Sequence, residues 1–181
     1  MTKSARVTDM ASFREAFEKT MENEGGYYLH DVPGDRGGMT YAGISRRYHP
    51  HWIGWRMIDK GVVSKAALEP LVRSFYKEWF WDKINGSEML NQGMADSIYD
   101  FAVNVGPRDS ARLAQAIVEV ETDGIIGPIS LKALNTCNPD LFRIKFFVGK
   151  IAWYARICNK SPGQKKFLLG WVNRSLKEVK Q

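Results

Sequence analysis

Residues 27 to 45 interrupt an otherwise helical sequence, and this interruption constrains the fold more than any other feature. The segment contains one proline and several glycines, which are Pro33, Gly34, Gly37, Gly38 and Gly43. Glycine and proline at this density break helices and favour turns and short strands. On both sides of the segment, apolar residues repeat at helical spacing. The sequence therefore predicts a mainly α protein with one small β or loop insert after its first helix.

The first predicted helix, over Thr8 to Glu24, ends directly before this insert. Phe17 and Met21 repeat on one face of the helix, and Glu24 continues that face. Gly25-Gly26 then ends the helix, as glycine commonly does. A carboxylate on an apolar face loses hydration, which raises its pKa toward the range that a general acid needs. Glu24 is therefore a candidate catalytic acid, and an exposed glutamate at a helix end is the alternative.

Glycoside hydrolysis usually needs a proton donor and a second carboxylate that activates water or stabilises the cationic sugar. Asp31 and Asp35 of the insert are both candidates for the second carboxylate, and Thr40 is a candidate for positioning the water. Four nearby aromatic residues are candidates either for stacking on sugars or for packing in the core. They are Tyr27, Tyr41, Trp52 and Trp55.

Helical patterns continue to the end of the chain. Pro70 suits the first turn of one helix. Residues 92 to 106 form a strongly apolar helix, with Asp100 and Asn104 one turn apart on another face. A long helix from Asn138 to about 159 carries a predicted core-facing seam, which consists of Leu141, Ile144, Val148, Ile151, Ala155 and Cys158. We expect a part over 1–90 and a helical part over 91–181, joined in one compact unit.

Composition limits the classes of partner. The net charge of +6 favours an anionic partner such as nucleic acid, anionic lipid or cell wall. Clusters of Lys and Arg with interleaved aromatic residues are lacking, so nucleic acid is not expected, and no apolar run is long enough for a membrane helix. Cys137 and Cys158 are expected to be buried or idle thiols, and a disulfide between them is the alternative if the fold brings them together. His30, His49 and His51 lack metal-ligand spacing, and His49-Pro50-His51 is expected to be a surface turn.

Several motifs resemble those of a known enzyme family. Glu24-Gly25-Gly26-Tyr27, followed by Asp31 to Ser45, closely resembles the N-terminal motif of glycoside hydrolase family 108. This family contains phage-type N-acetylmuramidases, which also occur as secretion-activating proteins and prophage endolysins. The stretch 75–82 looks like the aromatic helix of the family, and 100–106 looks like its central helix. The stretches 113–116, 123–128 and 170–174 look like the peptidoglycan-binding segment that follows its catalytic part.

This resemblance implies a lysozyme-like helical domain that cleaves the β-1,4 bond between N-acetylmuramic acid and N-acetylglucosamine without a metal or cofactor. It implies that Glu24 is the catalytic acid. Asp35 and Thr40 stand where phage lysozymes have a second carboxylate and a water-positioning threonine, although the spacing differs. The candidate substrate-binding residues are Tyr27, Asp31, Tyr41, Asp100 and Asn104.

Two other functions remain open. A lytic transglycosylase works with one glutamate, and a non-catalytic protein would bind the wall or assist secretion. For the muramidase, we expect a monomer whose partner is bacterial peptidoglycan. Its polar N-terminus lacks a hydrophobic signal region. We therefore expect synthesis in the cytoplasm, followed by holin-type release or dedicated export to the wall.

Overall fold

The computed structural model describes residues 10–23, 26–30 and 38–179. Its helices are α1 Phe13–Asn23, α2 Gly54–Ile58, α3 Lys65–Tyr76, α4 Gln92–Val105, α5 Pro107–Ile117, α6 Pro128–Thr136, α7 Pro139–Lys160 and α8 Leu168–Val179. A π-helical turn covers Lys77–Trp81, and 3-10 turns cover Asp82–Ile84, Gly86–Glu88 and Pro162–Phe167. The strands are β1 Leu29–His30, β2 Thr40–Tyr41 and β3 Ile44–Ser45. The mainly α fold with a small β insert after the first helix is confirmed.

The insert is a small antiparallel sheet in the order β1-β2-β3. Thr40 of the central strand pairs with His30 on one side and with Ser45 on the other. Ala42 and Gly43 join β2 to β3, and both have positive φ angles, of 49° and 77°. A two-residue hairpin loop favours this left-handed backbone because it matches the twist of the strands. The predicted β or loop insert therefore contains a hairpin, and Gly43 provides half of its turn.

The chain divides into two compact units. We call Phe13–Trp79 the insert unit, because it contains the sheet. We call the chain from Phe80 onward, together with residues 10–12, the helical unit.

The apolar face of α1 lies in the core of the insert unit. Phe17 and Met21 are buried, as the sequence predicts. The ring of Phe17 lies edge-on to Tyr76 of α3, with centroids 5.8 Å apart. The Tyr76 hydroxyl donates a hydrogen bond to the carbonyl oxygen of Ala42 at 3.0 Å. These contacts attach the hairpin turn to α3.

The predicted start of α1 at Thr8 is wrong for the residues that the structure describes. Residues 10–12 are not helical, and α1 begins at Phe13. The backbone N–H of Ala11 donates to the Met89 carbonyl at 2.8 Å, and that of Ser12 donates to Gln92 Oε1 at 2.6 Å. Because these amides bind outside α1, they are not available to extend it.

Pro70 lies in the interior of α3, so the prediction that it occupies a first turn is also wrong. Its missing N–H leaves the carbonyl of Ala66 without its usual helical partner. Ala66 is exposed, so water can bind that carbonyl, and the helix continues through the proline.

Helix α4 lies in the core of the helical unit. Four of its apolar side chains are buried, as expected for a strongly apolar helix, and they are Met94, Ile98, Phe101 and Ala102. Ser110 of α5 donates its hydroxyl to the Ile98 carbonyl at 2.7 Å. The hydrogen bond joins the two helices and satisfies a buried hydroxyl.

Helix α7 has its predicted length, but most of its predicted seam does not face the core. Leu141, Ile144 and Val148 are exposed by 52%, 62% and 59%. The buried residues of α7 instead repeat every fourth position, and they are Phe142, Phe146, Lys150, Tyr154 and Cys158. Aromatic rings bury more area than aliphatic side chains, and Phe101 of α4 packs edge-on against Phe146 and Tyr154. The aromatic face therefore determines which side of α7 is buried.

Cys137 and Cys158 are both free thiols. Within the described ranges, no helix is both long enough and apolar enough to cross a membrane.

Candidate functional site

The three predicted carboxylates, Glu24, Asp31 and Asp35, lie outside the described residues, so their roles stay predictions. The structure does describe where the first helix ends. Gly26 has a left-handed φ of 83°, and its N–H donates to the Met21 carbonyl at 3.1 Å. A glycine in this conformation with a bond back across the last turn is a common helix C-terminus. The predicted helix stop at the glycines is confirmed, and in sequence Glu24 directly follows Asn23, the last described residue of α1.

Tyr27 lies half-buried beside charged residues of α3. The Lys65 ammonium lies 4.9 Å from the centroid of its ring. Burial and the neighbouring Glu69 carboxylate raise the pKa of Tyr27 to about 12, although the Arg73 guanidinium partly offsets them. Arg73 donates to Glu69 Oε1 at 3.1 Å. The phenol of Tyr27 therefore keeps its proton at neutral pH and is a hydrogen-bond donor at the edge of the insert.

Thr40 lies half-buried on the central strand. Its hydroxyl donates to the Gly38 carbonyl at 3.1 Å. Because the proton is used in this way, the oxygen retains its lone pairs as acceptors. Thr40 can therefore accept a hydrogen bond from a water molecule.

Tyr41 has a packing role in the structure. Its ring is fully buried and stacks on Trp52, with centroids 6.2 Å apart. Its hydroxyl donates to the Val63 carbonyl at 3.4 Å, and burial raises its pKa. Trp55 is also buried, and its indole N–H donates to the His49 carbonyl at 2.8 Å. Of the four aromatic candidates, these two take the packing alternative in the structure, and substrate contact by Tyr41 stays a prediction.

Asp100 and Asn104 lie in the helical unit. Asp100 is buried and binds the Arg174 guanidinium of α8 through both carboxylate oxygens, at 2.8 to 3.2 Å. The Asn104 amide donates a hydrogen bond to the Tyr154 hydroxyl at 3.0 Å. Asn104 also lines a cavity of about 240 Å³, and Trp171 forms another part of its wall. The geometry assigns Asp100 to an ion pair that joins two helices and places Asn104 at a cavity wall.

The insert unit contains a feature that the sequence did not predict, which we call the aromatic pocket. It has a volume of about 310 Å³ and lies between residues 48–53 and the end of α3 with the π-helical turn. Its walls are formed mainly by Tyr48, His49, Trp52, Ile53, Phe75 and Trp79. Phe75 and Trp79 are four residues apart, which is a detectable helical pair, but no local pattern shows that residues 48–53 pack against it.

His49 is predicted to lie in a surface turn with Pro50 and His51, and in the structure it is half-buried. His51 is exposed, as expected for a turn. The imidazole of His49, however, lies edge-on to Phe75 and to Trp79, with centroids 4.7 Å and 4.9 Å away. Its Nδ1 is shielded and makes no hydrogen bond to any residue that the structure describes. Burial lowers the pKa of His49, so the ring is a neutral part of the wall at pH 7.

Over the described part of the chain, no group of three or more His, Cys, Asp or Glu side chains is close enough to hold a metal ion.

Comparisons with known proteins give two family matches. A family model described as Glycosyl hydrolase 108 matches residues 17–106. One described as Predicted Peptidoglycan domain matches residues 85–176.

A solved structure titled "Structure of Brucella abortus SagA" is similar to this chain, with 26% sequence identity and a TM-score of 0.67. The match covers 92% of this chain and 90% of the other. A search among curated proteins found no similar sequence.

Proposed function

We propose, because the chain belongs to the glycosyl hydrolase 108 family, that it is an N-acetylmuramidase. The family and the peptidoglycan domain support a peptidoglycan hydrolase. We further propose that the enzyme cleaves the β-1,4 linkage between N-acetylmuramic acid and N-acetylglucosamine. The observation that carries it is the family match over 17–106, since that range contains the whole Glu24-to-Ser45 motif.

In the proposed mechanism, Glu24 protonates the glycosidic oxygen as the bond to the sugar breaks. Water then completes the hydrolysis of the cationic sugar. Asp35 or Asp31 stabilises the positive charge or activates that water, and Thr40 accepts a hydrogen bond from the water. The Thr40 hydroxyl supports this role, because its proton is already donated to the Gly38 carbonyl. The Tyr27 phenol, which keeps its proton, is a donor to a sugar oxygen.

We also propose that the two parts of the chain have different functions. Residues 1–90 would catalyse the cleavage, and residues 91–181 would bind the peptidoglycan of the cell wall. The order of the two family matches supports this division.

The decisive variant is Glu24→Gln, which keeps the shape of the side chain but removes its acidic proton. The rate of turbidity loss of purified cell walls should fall at least about 100-fold, the usual contribution of a general acid. Glu22→Gln is the matched control, because Glu22 is exposed on α1 and lies two residues before Glu24 in sequence. Full activity of Glu24→Gln would refute the proposal.

The same assay identifies the second catalytic group. Asp31→Asn, Asp35→Asn and Thr40→Val each remove one candidate at similar volume. Among these three variants, the one with the largest loss of rate identifies the residue that stabilises the cationic sugar or positions the water. If all three variants are as active as the unmodified chain, the two-group mechanism is contradicted.

The products distinguish this function from its alternatives. A hydrolase releases muropeptides with reducing ends, whereas a lytic transglycosylase releases 1,6-anhydro ends, and mass spectrometry separates the two. The match to a peptidoglycan domain favours one further candidate, which is a wall-binding protein without catalysis. Binding to sacculi without any released sugar would establish that candidate instead.

A further inference from the structure

We propose that the aromatic pocket of the insert unit binds an N-acetylglucosamine residue of the glycan strand. The pocket would form a second sugar contact in addition to the catalytic residues. This inference rests on the proposed function, because the glycan is its ligand.

The shape of the pocket is set by rings that hold one another in place. Phe75 and Trp79 stack with centroids 5.8 Å apart and an interplanar angle of 25°. The His49 imidazole stands nearly perpendicular to both rings. The Trp52 indole N–H donates to the Leu71 carbonyl at 3.4 Å, which joins the two walls. The pocket is therefore formed before any ligand enters it.

The edges of the pocket expose aromatic surface to solvent. Trp79 is 49% exposed and Tyr48 is 68% exposed, although each is large and apolar. A hexosamine ring has a face of C–H groups that carry partial positive charge. An aromatic face is negative, so the two surfaces attract while both leave water. Exposed rings beside a pocket therefore fit a sugar.

Polar side chains at the rim match the hydroxyl groups of a sugar. Ser74, Glu78 and His51 line the pocket and are exposed. The Glu78 carboxylate can accept hydrogen bonds from sugar hydroxyls, and the Ser74 hydroxyl can both donate and accept. An apolar interior with a few polar groups at its edge is the common form of a small-ligand site.

The charge and the volume of the pocket select among ligands. Its described lining residues include one carboxylate, Glu78, and no lysine or arginine, which disfavours an anion such as a lipid phosphate. A volume of about 310 Å³ is at the lower limit of ligand pockets, and a helix with its side chains is about 10 Å wide. The pocket thus fits one neutral sugar better than it fits a partner helix.

Two further observations relate the pocket to function. Trp79 lies in the π-helical turn Lys77–Trp81, and π-helical turns occur frequently at functional sites. Trp52, which lines the pocket, also stacks on Tyr41, the residue after Thr40. One layer of aromatic rings therefore separates the pocket from the strand that carries the proposed water-positioning residue.

The test measures binding of an uncleaved sugar to the full chain. Glu24→Gln provides the background, so that hydrolysis does not consume the probe, and the probe is a β-1,4-linked tetramer of N-acetylglucosamine. Binding is followed by titration calorimetry and by tryptophan fluorescence. Trp79→Ala should weaken binding about tenfold, which is the scale of one aromatic contact. Trp79→Phe, which keeps a ring, should recover most of that loss.

Val63→Ala is the control, because Val63 has a similar exposure of 47% in the same unit and lies outside the pocket lining. Tyr48→Ala is a second test at a more exposed position, and it should also weaken binding. Circular dichroism confirms that each variant is folded. If any of them fails to fold, the remaining pocket variant decides the result.

The outcomes separate this inference from the proposed function. If the chain clears walls while Trp79→Ala and Tyr48→Ala bind the tetramer as tightly as the background, the pocket is not a sugar site and the muramidase proposal stands. No binding of the tetramer by the background also overturns the inference. If the chain does not cleave walls but loses sugar binding with Trp79→Ala, the pocket stands without the catalytic proposal.

Discussion

His49 shows how one residue changes its role between sequence and structure. In sequence it belongs to a turn with a second histidine, and no pattern distinguishes the two. In the structure its ring lies against Phe75 and Trp79, which are distant in sequence. This contact was not predictable, because it depends on how α3 packs on residues 48–53. The signals around Glu24 are local, since they are helical phase and the glycines that follow, and the role of Glu24 stays a prediction.

From the half-buried imidazole of His49 we predict how the stability of the chain depends on pH. Folding lowers its pKa below the ordinary value of 6.5, so the unfolded chain binds more protons as the pH falls. Its contribution to stability is complete above the unfolded pKa. It declines as the pH falls through 6.5 toward the lower folded value. His49→Phe keeps a ring in the wall and removes the titration.

The measurement is the midpoint of thermal unfolding of both chains from pH 8 to pH 5. The fall in midpoint on acidification should be smaller for His49→Phe than for the unmodified chain. Parallel curves would show that His49 is not protonated on unfolding.

At the scale of elements, local signals predicted where helices lie better than which faces they bury. Helix α4 and the β insert were predicted because apolar spacing and glycine density decide them within a short segment. Helix α7 has apolar residues on more than one face, so spacing alone allowed two choices. The aromatic face is buried because Phe101 of α4 packs against it, and that contact is not local.

The ion pair between Asp100 and Arg174 joins α4 to α8, and its loss should destabilise the helical unit. The two side chains are only 11% and 17% exposed. Asp100→Ala removes the carboxylate that binds the largely buried Arg174 guanidinium at 2.8 to 3.2 Å, which costs about 3 kcal/mol. For a chain of this size, that loss lowers the midpoint of thermal unfolding by about 6–12 °C.

The double variant Asp100→Leu with Arg174→Met tests the cause. Removing both charges avoids a buried cation that has lost the Asp100 carboxylate, so the double variant should be more stable than Asp100→Ala alone. A double variant that is less stable than the single one would show that packing of these side chains outweighs their charge.

At the scale of the whole molecule, the net charge should affect the rate at which the protein associates with the cell wall. The chain carries a net charge of +6, and a basic surface attracts an anionic wall over a distance set by salt. That distance is about 30 Å at 0.01 M ionic strength and about 8 Å at 0.15 M. The rate of wall clearing should therefore fall several-fold between these two conditions.

A neutral oligomer of N-acetylglucosamine serves as the control for this prediction. Its binding to the Glu24→Gln chain should change little over the same range of salt, because no long-range attraction brings it to the protein. Equal salt dependence for the wall and for the neutral sugar would point to an effect of salt on the protein itself.

The π-helical turn Lys77–Trp81 has a consequence for how the chain should respond to a deletion. Such a turn holds one residue more than an α-helical turn. The extra residue sets the direction of the side chains that follow, and Trp79 is exposed where Trp81 is buried. Deletion of one residue from the turn should restore an α-helical register and change the angle between the outward Trp79 and the inward Trp81.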